Sequence, residues 1–135
     1  MSTYDPDALA VQVGTVLIVR TRPLKPTAAG RLLLKREAYA VDHAMVIDCA
    51  AETRTIIELN CNPQRLDMDW RWWMRAKDKG VLCSINPDAH SREGLHYLGL
   101  GVRIARKGWL AKADVFNTRK TAEIEAFLKK AKAKR

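Results

Sequence analysis

The chain has 135 residues, 47% hydrophobic and 29% charged, which is typical of one soluble globular domain. No apolar stretch has the length of a bilayer span, and the first residues lack the basic and then apolar pattern of a signal peptide, so we expect a cytoplasmic protein with no membrane partner. The chain has 24 Lys and Arg residues and 15 Asp and Glu residues, so its net charge is +9. This charge favours polyanionic partners such as nucleic acid or phosphate esters. The three cysteines have no C-x-x-C spacing, which favours buried free thiols over a zinc–thiolate site.

The first third of the chain predicts one helix, one strand and a loop. Asp5 followed by proline is a helix-start signal, and it predicts a short helix over residues 4–12. Residues 14–20 are β-branched and apolar, and they predict a buried strand. Residues 21–30 contain two prolines and end in a glycine, so we expect a loop there.

The middle of the chain predicts a helix followed by a second strand. Asp42 fits the N-cap of a helix that runs to about Thr53. We expect one face of this helix to carry Met45, Val46, Cys49 and Ala50. Residues 55–60 are mostly apolar and predict the second strand, which ends in a polar and bent segment.

A tryptophan-rich helix and a third strand come next. Asp67 or Asp69 fits the cap of this helix, and Gly80 ends it at a left-handed position. One helix cannot bury all three of Trp70, Trp72 and Trp73, so at least one of them is expected to be partly exposed or to meet another chain. Residues 81–85 predict the third strand.

The last third of the chain predicts helical segments only. Residues 94–98 and 101–109 are interpreted as two short helical turns, and Thr121 as the cap of a final helix. Residues 129–135 form a basic tail with five positive charges, which suits the negative end of a helix dipole and a solvated, frayed terminus.

The order of these elements predicts an α/β fold with parallel strands. Short apolar strands that alternate with helices pair in parallel through right-handed crossovers. Functional loops in such folds lie at the carboxyl ends of the strands. In this chain those loops are residues 20–25, 60–65 and 86–91.

The third strand ends at two side chains that suit a metal or acid/base site. Asp88 and His90 follow it, two residues apart, and can ligate zinc or a harder cation that activates water on a phosphate ester. The structural alternative is an Asx-turn at Asp88 with His90 packed beside it, and spacing alone favours that alternative. Glu58, within the second strand, either joins the same site or pairs with an arginine, whereas Asn60 and Asn62 more simply terminate that strand.

Five cations are candidates for phosphate contacts because guanidinium and ammonium groups bind phosphate oxygens. They are Arg65, Arg71, Arg103, Arg106 and Lys107, of which Arg65, Arg106 and Lys107 are selected as a weak phosphate-binding set. Each of them taken alone is better explained as a solvated or helix-end charge. The tryptophans can stack on bases, but core packing explains them more simply.

Several stretches taken together resemble the polymerase and histidinol phosphatase (PHP) family, and most closely the PHP domain of bacterial family X DNA polymerases. The resemblance covers about residues 24–128 in the family's order and spacing, with 1–135 as a single partial domain. The matching segments are Gly30–Glu37, Glu58–Asp67, Ile85–Ser91, Gly101–Trp109 and Asp114–Thr118. The resemblance implies the last part of a distorted (β/α)7 barrel, incomplete as a barrel, with phosphoester hydrolysis on DNA ends and a Zn or Mn centre.

In that scheme Asp88 and His90 match the family's last metal-binding motif. The family's first motif, His-x-His, has no counterpart here, and Lys25 stands where a further ligand histidine is expected. An ammonium group has no lone pair for a metal, and two ligands from one loop are fewer than zinc hydrolases use. The resemblance therefore implies a chain that is inactive alone.

Two other functions stay open at this stage. One is a non-catalytic basic module that binds nucleic acid, and the other is a subunit that completes a split site with another chain. An incomplete barrel also exposes apolar surface and sheet edges, so we expect homo-oligomers or association with another chain.

Overall fold

The computed structural model describes residues 9–12, 15–19, 33, 35 and 41–132. The strands and α-helices of these residues, in chain order, are β1 (Leu9–Gln12), β2 (Thr15–Val19), α1 (His43–Thr53), β3 (Ile57–Asn60), α2 (Trp73–Asp78), β4 (Cys83–Asn86), α3 (Tyr97–Lys107) and α4 (Thr121–Lys132). Short 3-10 turns span Trp70–Trp72, Glu93–His96, Lys112–Asp114 and Phe116–Thr118. Among the described residues, no helix has both the length and the apolar character that crossing a bilayer requires.

The first two strands form an antiparallel pair. Leu9 lies opposite Val19, and Ala10 lies opposite Ile18. The strand expected over residues 14–20 is confirmed for residues 15–19, but the helix expected over residues 4–12 is wrong for residues 9–12, and its other residues lie outside the described part. Because β2 begins three residues after β1 ends, pairing the two costs little loop-closure entropy, and this outweighs the helix-start signal. The loop expected over residues 21–30 and the matching position Lys25 lie outside the described residues.

Helix α1 begins where the sequence predicts. The carboxylate of Asp42 accepts a hydrogen bond of 3.0 Å from the backbone N–H of Met45, and Arg54 ends the helix in the left-handed region. The buried face is rotated from the expected one: Ile47, Cys49 and Ala50 are buried, whereas Met45 is 53% exposed. Met45 lies about 140° around the helix from Ala50, so the two cannot share one narrow buried face.

Strands β3 and β4 form the parallel pair that holds the candidate site. Ile57 pairs with Cys83 at one end, and Asn60 pairs with Asn86 at the other. The parallel arrangement is therefore confirmed for the second and third expected strands, whereas the first, β2, pairs antiparallel with β1. The described residues form a mixed helix and strand fold that is compatible with the α/β class, and their strands make two two-stranded sheets and not a closed barrel.

The core is formed by side chains of the parallel strands and of helices α1, α2 and α3. The largest fully buried side chains are Trp73, Ile47, Leu59, Met68, Cys61 and Cys83. All three cysteines are buried and free, as the sequence predicts. Trp73 is fully buried, Trp72 is partly buried and Trp70 is 38% exposed, which confirms that the tryptophan-rich helix leaves at least one indole at the surface. Asp69 caps the turn that starts this segment, and Gly80 has the expected positive φ of 73°.

Helix α3 is longer than the sequence predicts. In place of two short turns, the 3-10 turn Glu93–His96 leads directly into an α-helix of 11 residues. A Cβ at Gly101 would lie 2.8 Å from both Cβ and Sγ of Cys61, so this glycine lets α3 approach the strands closely. Gly101 is a packing residue and not a helix break.

The end of α3 places a tryptophan where glycine is usual. The N–H of Trp109 donates to Arg106 O, and the N–H of Leu110 donates to Ala105 O, both at 3.0 Å. These are the two hydrogen bonds of a Schellman motif, and its left-handed position falls on Trp109, with a φ of 65°. The glycine one residue earlier, Gly108, is needed for another reason: a Cβ there would lie 2.8 Å from Cβ of Trp73.

The free edge of β4 is covered by the segment that precedes α4. Cys83 forms a parallel bridge with Val115. The side-chain amide of Asn117 accepts from the N–H of Ile85 at 3.2 Å and donates to the Ile85 carbonyl at 2.8 Å. Helix α4 follows, as predicted, but Thr121 is its first residue and not its cap; the N–H of Lys120 donates to the Glu123 carboxylate at 2.9 Å.

Candidate functional site at the carboxyl edge of the parallel strands

Parallel pairing brings the loops after β3 and β4 to the same edge of the sheet. Asn60 and Asn86 are the paired last residues of the two strands. Beyond them, the N–H of Cys61 donates to the Asn86 carbonyl at 2.8 Å, which holds the start of one loop against the other. The two polar loops that the sequence places at carboxyl ends therefore meet, whereas the third, residues 20–25, lies outside the described residues.

Asp88 points back across this edge to the loop after β3. Nε of Arg65 lies 3.0 Å from Oδ2 of Asp88, and both side chains are about one-third exposed or less, at 28% and 31%. Asp88 itself has a φ of 50°, a left-handed conformation that aspartate tolerates better than most residues. The structure thus brings together a predicted metal ligand and a predicted phosphate-binding cation, and they neutralise each other.

His90 is exposed and is held by the backbone of the same loop. Its Nδ1 lies 2.8 Å from the carbonyl oxygen of Asp88. Because a carbonyl oxygen only accepts, Nδ1 carries the proton, and Nε2 is the nitrogen left for a ligand. Metal-binding histidines commonly donate their other ring nitrogen to a backbone carbonyl in this way. His90 therefore has the orientation of a ligand.

Glu58 reaches this edge from within β3. The side-chain amide of Asn86 donates to Oε1 of Glu58 at 3.0 Å, and the hydroxyl of Ser84 donates to Oδ1 of Asn86 at 3.1 Å. Burial raises the pKa of the Glu58 carboxyl, and the neighbouring carboxylates of Asp88 and Asp67 raise this pKa further. The partner of Glu58 in the described structure is an asparagine, whereas the sequence suggested a metal or an arginine.

The two asparagines of the loop after β3 make local turns, as the structural interpretation predicted. Oδ1 of Asn60 accepts from the N–H of Asn62 at 3.1 Å. Oδ1 of Asn62 accepts from the N–H of Gln64 at 3.0 Å. Both are Asx-turns that bend the chain after a strand.

The described residues do not fit a catalytic metal centre. Within residues 41–132 and the shorter described segments, no three His, Cys, Asp or Glu side chains are grouped to hold a metal ion. All three histidines and all three cysteines of the chain lie within this described part. His43 stacks on Trp72 with ring centroids 5.2 Å apart. Asp88 and His90 as metal ligands stay a prediction, and no chemical step is derived through a metal.

The other predicted phosphate-binding residues lie elsewhere. Lys107 is in the last turn of α3, and its Nζ lies 4.5 Å from the centroid of the Trp70 ring. Arg106 is exposed beside it, and Arg103 is exposed one turn earlier. Arg71 makes two hydrogen bonds to the carboxylate of Asp69, at 2.9 and 3.0 Å. The structure therefore separates Arg65, at the strand edge, from the cations at the end of α3.

Sequence reasoning missed two residues that the structure makes conspicuous. Trp109 is 66% exposed in a left-handed conformation, and Asn117 completes the edge of β4. Trp109 gives no clear signal in the sequence, because glycine is the usual residue at a left-handed helix end and Gly108 stands one position earlier. Asn117 gives no local signal, because its partner Ile85 is 32 residues away.

One comparison with known proteins agrees with the resemblance found in the sequence. No family model matches the chain. The chain is 44% identical over 101 residues to the DNA polymerase/3′-5′ exonuclease PolX of Bacillus subtilis strain 168. The aligned region is 75% of this chain and 18% of that relative, so the chain spans less than a fifth of the relative's length.

This identity is consistent with a PHP-like region at the C-terminus of a family X polymerase. Over three quarters of its own length, the chain is therefore similar in sequence to a short part of that relative.

Proposed function

We propose that this chain is the last part of a PHP-type phosphoesterase domain and that the 135-residue chain alone does not hydrolyse phosphate esters. The observation that carries the proposal is the ion pair between Arg65 and Asp88, because it occupies the one carboxylate that the family motif offers beside His90. A water-activating zinc site takes about three protein ligands, and His90 with a neutralised Asp88 falls short of that number. The whole Bacillus subtilis relative is a DNA polymerase/3′-5′ exonuclease.

The test is a metal-dependent phosphoesterase assay on the purified chain. We expect hydrolysis of p-nitrophenyl phosphate and of a 3′-phosphorylated oligonucleotide to stay at the rate without protein, with Mn²⁺ or Zn²⁺ added. Metal analysis by mass spectrometry is expected to find less than one Zn or Mn per chain. The Bacillus subtilis relative serves as the positive control for exonuclease conditions.

Asp88→Ala is the control that separates this chain from a contaminating phosphatase. Metal-dependent hydrolysis that Asp88→Ala removes, with the circular dichroism spectrum unchanged, would contradict the proposal. Hydrolysis that Asp88→Ala leaves unchanged belongs to a contaminant and agrees with an inactive chain.

A second function, binding of nucleic acid without hydrolysis, is favoured by the charge of the chain. The net charge is +9, and the cations at the end of α3 lie beside exposed aromatic rings. Counterion release from a polyanion makes such binding salt-dependent. Binding of a labelled oligonucleotide that weakens steeply between 50 and 200 mM NaCl (about tenfold or more) is the expected result. Binding without salt dependence, or none at 50 mM NaCl, would contradict this function.

A further inference from the structure

The end of α3 and the turn before α2 lie next to each other and carry exposed aromatic and basic side chains. These side chains are two indoles and three cations: Trp70, Trp109, Arg103, Arg106 and Lys107, named here the tryptophan–lysine patch. The two segments touch, because a Cβ at Gly108 would lie 3.1 Å from the carbonyl oxygen of Trp70. Trp70 and Trp109 are 38% and 66% exposed.

Trp109 is held outward by its backbone at a conformational cost. It occupies the left-handed position of the Schellman motif, which a bulky L-residue rarely adopts. Nζ of Lys77 donates to the carbonyl of Trp109 at 3.0 Å. The same ammonium group lies 3.0 Å from Oδ2 of Asp114, which holds Lys77 in place against the backbone of Trp109. A glycine would form the same turn without strain, and a strained residue with an exposed functional side chain points to a role in binding.

Lys107 is oriented by the ring of Trp70. Its ammonium group lies 4.5 Å from the ring centroid, a cation–π contact that leaves its N–H donors available to an anion. Arg103 is one helical turn before Lys107 and therefore on the same side of α3. Among the described residues, no ion pair involves Arg103, Arg106 or Lys107, so their charge is not neutralised within the described structure.

The patch lies apart from the carboxyl-edge site. The loop with Asp88 and His90 precedes the start of α3 at Tyr97, and Lys107 is ten residues further along the helix. At 1.5 Å per residue, this is about 15 Å along the helix axis. The patch is therefore an additional surface and not a part of the motif that resembles a metal site.

We propose that the tryptophan–lysine patch binds single-stranded nucleic acid, with Trp109 stacking on a base while Arg103, Arg106 and Lys107 contact phosphates. Aromatic platforms combined with cations are the usual means of holding a single strand. A duplex hides the faces of its bases, so two exposed indoles suit unpaired bases better than paired ones. This inference rests on the second function proposed above, and the absence of hydrolysis does not bear on it.

The test is the affinity of a labelled 15-nucleotide oligo(dT) for the full chain and its variants, measured by fluorescence anisotropy. Trp109→Gly places glycine at the left-handed position, so its melting temperature is expected to equal or exceed that of the parent chain. Its affinity is expected to fall roughly 5- to 150-fold, the loss of one stacked base. The variant Met45→Ala, which removes another exposed apolar side chain, is expected to bind like the parent chain.

Lys107→Gln tests the phosphate contact, with Lys130→Gln on α4 as the matched control for charge. Lys107→Gln is expected to lower the slope of log affinity against log salt by about 0.7, the loss of one phosphate contact to a single strand, whereas Lys130→Gln is expected to leave it unchanged. Equal slopes for the two variants would overturn the assignment of Lys107.

Oligo(rU) and a 15-base-pair duplex, measured beside oligo(dT), show which kind of nucleic acid the patch binds. If oligo(dT), oligo(rU) or both bind more tightly than the duplex, the proposal is supported. The tighter of the two single strands then shows whether DNA or RNA is preferred. A duplex that binds as tightly as the single strands, or a Trp109→Gly variant with parental affinity, would overturn it. If the parent chain shows no salt-dependent binding to any of these nucleic acids, the second proposed function, binding of nucleic acid without hydrolysis, is contradicted as well.

Discussion

Nε of Arg65 lies 3.0 Å from Oδ2 of Asp88, and this ion pair ties the loop after β3 to the loop after β4. The two residues are 23 positions apart in the sequence and meet because β3 and β4 pair in parallel with aligned ends. The pair uses the aspartate of the motif that resembles a metal site. A carboxylate that would bind a cation in a complete centre here binds a guanidinium group.

This pair is expected to contribute modestly to stability. Both side chains are partly exposed, so solvent screens their attraction, and a coupling free energy of about 0.5–1 kcal/mol is expected. The measurement is a double-mutant cycle with Arg65→Gln and Asp88→Asn in urea unfolding, repeated in 1 M NaCl, where the coupling is expected to shrink. A coupling near zero at low salt would mean that the pair is not held in solution.

The edge of β4 depends on one asparagine side chain. Asn117→Ala leaves the N–H and the carbonyl of Ile85 without their side-chain partner, and a loss of about 1–3 kcal/mol in the free energy of unfolding is expected. Asn62→Ala is the control, since the side chain of Asn62 accepts one exposed hydrogen bond in a turn, and a loss of about 0.5 kcal/mol is expected there. Equal losses for the two variants in urea unfolding would contradict the role of Asn117.

Local signals in the sequence predicted the elements that local chemistry determines. Asp42 caps α1 because its carboxylate reaches an N–H three residues later, and Gly80 ends the α2 segment because the turn requires a positive φ. The apolar runs of β3 and β4 are buried on both sides, so they were also recognisable.

Most of the failures come from contacts between residues far apart in the sequence. Gly101 has the pattern of a helix break, yet it permits close packing of α3 on Cys61. The exception is residues 9–12, which follow the helix-start signal at Asp5 yet pair with β2 close by in the chain. The pairing of Arg65 with Asp88 and that of Asn117 with Ile85 leave no trace in sequence spacing. The position of the candidate site, at the carboxyl edge of the strands, was therefore predictable. The contacts between its side chains were not.

Glu58→Gln is expected to stabilise the chain at neutral pH. Burial raises the pKa of the Glu58 carboxyl above its usual 4.5, so the folded state holds the proton more tightly than the unfolded state. Stability is therefore lost as the pH rises from about 4.5 through the folded-state pKa, and glutamine removes this loss while keeping an oxygen for Asn86. Urea unfolding at pH 7 and pH 4 is expected to show a gain that is larger at pH 7.

Glu52→Gln, at an exposed position of α1, is the control for removing one negative charge. A gain at pH 7 for Glu52→Gln as large as that for Glu58→Gln would assign the effect to net charge. A Glu58→Gln variant that is less stable at pH 7 than the parent chain would mean that the carboxylate has a stronger partner than Asn86.

The thiols are expected to be unreactive in the folded chain. Burial raises the pKa of Cys61 to about 11 and raises that of Cys83 further. At pH 8, about one Cys61 thiol in a thousand is then ionised, and the thiolate is the reactive form. Ellman's reagent is expected to react slowly with the folded chain and rapidly with three thiols in guanidinium chloride. Rapid titration of all three under native conditions would contradict the buried arrangement.

Helix α3 exposes apolar side chains that are expected to promote self-association. Leu98 and Val102 are 39% and 50% exposed and lie one turn apart. The net charge of +9 opposes contact between copies at low salt, so association is expected to increase from 50 to 500 mM NaCl, opposite to the salt effect on nucleic-acid binding.

Analytical ultracentrifugation of Leu98→Gln/Val102→Gln tests this association. Removing two apolar contacts is expected to weaken dimerisation about tenfold or more, since burying two such side chains is worth at least about 1.4 kcal/mol. Met45→Gln changes an apolar residue of similar exposure on α1; it is the control and is expected to leave the association unchanged. If the parent chain stays monomeric at high salt and high concentration, α3 does not mediate contact between copies. If Met45→Gln weakens the association as much as the double variant does, the contact is not specific to α3.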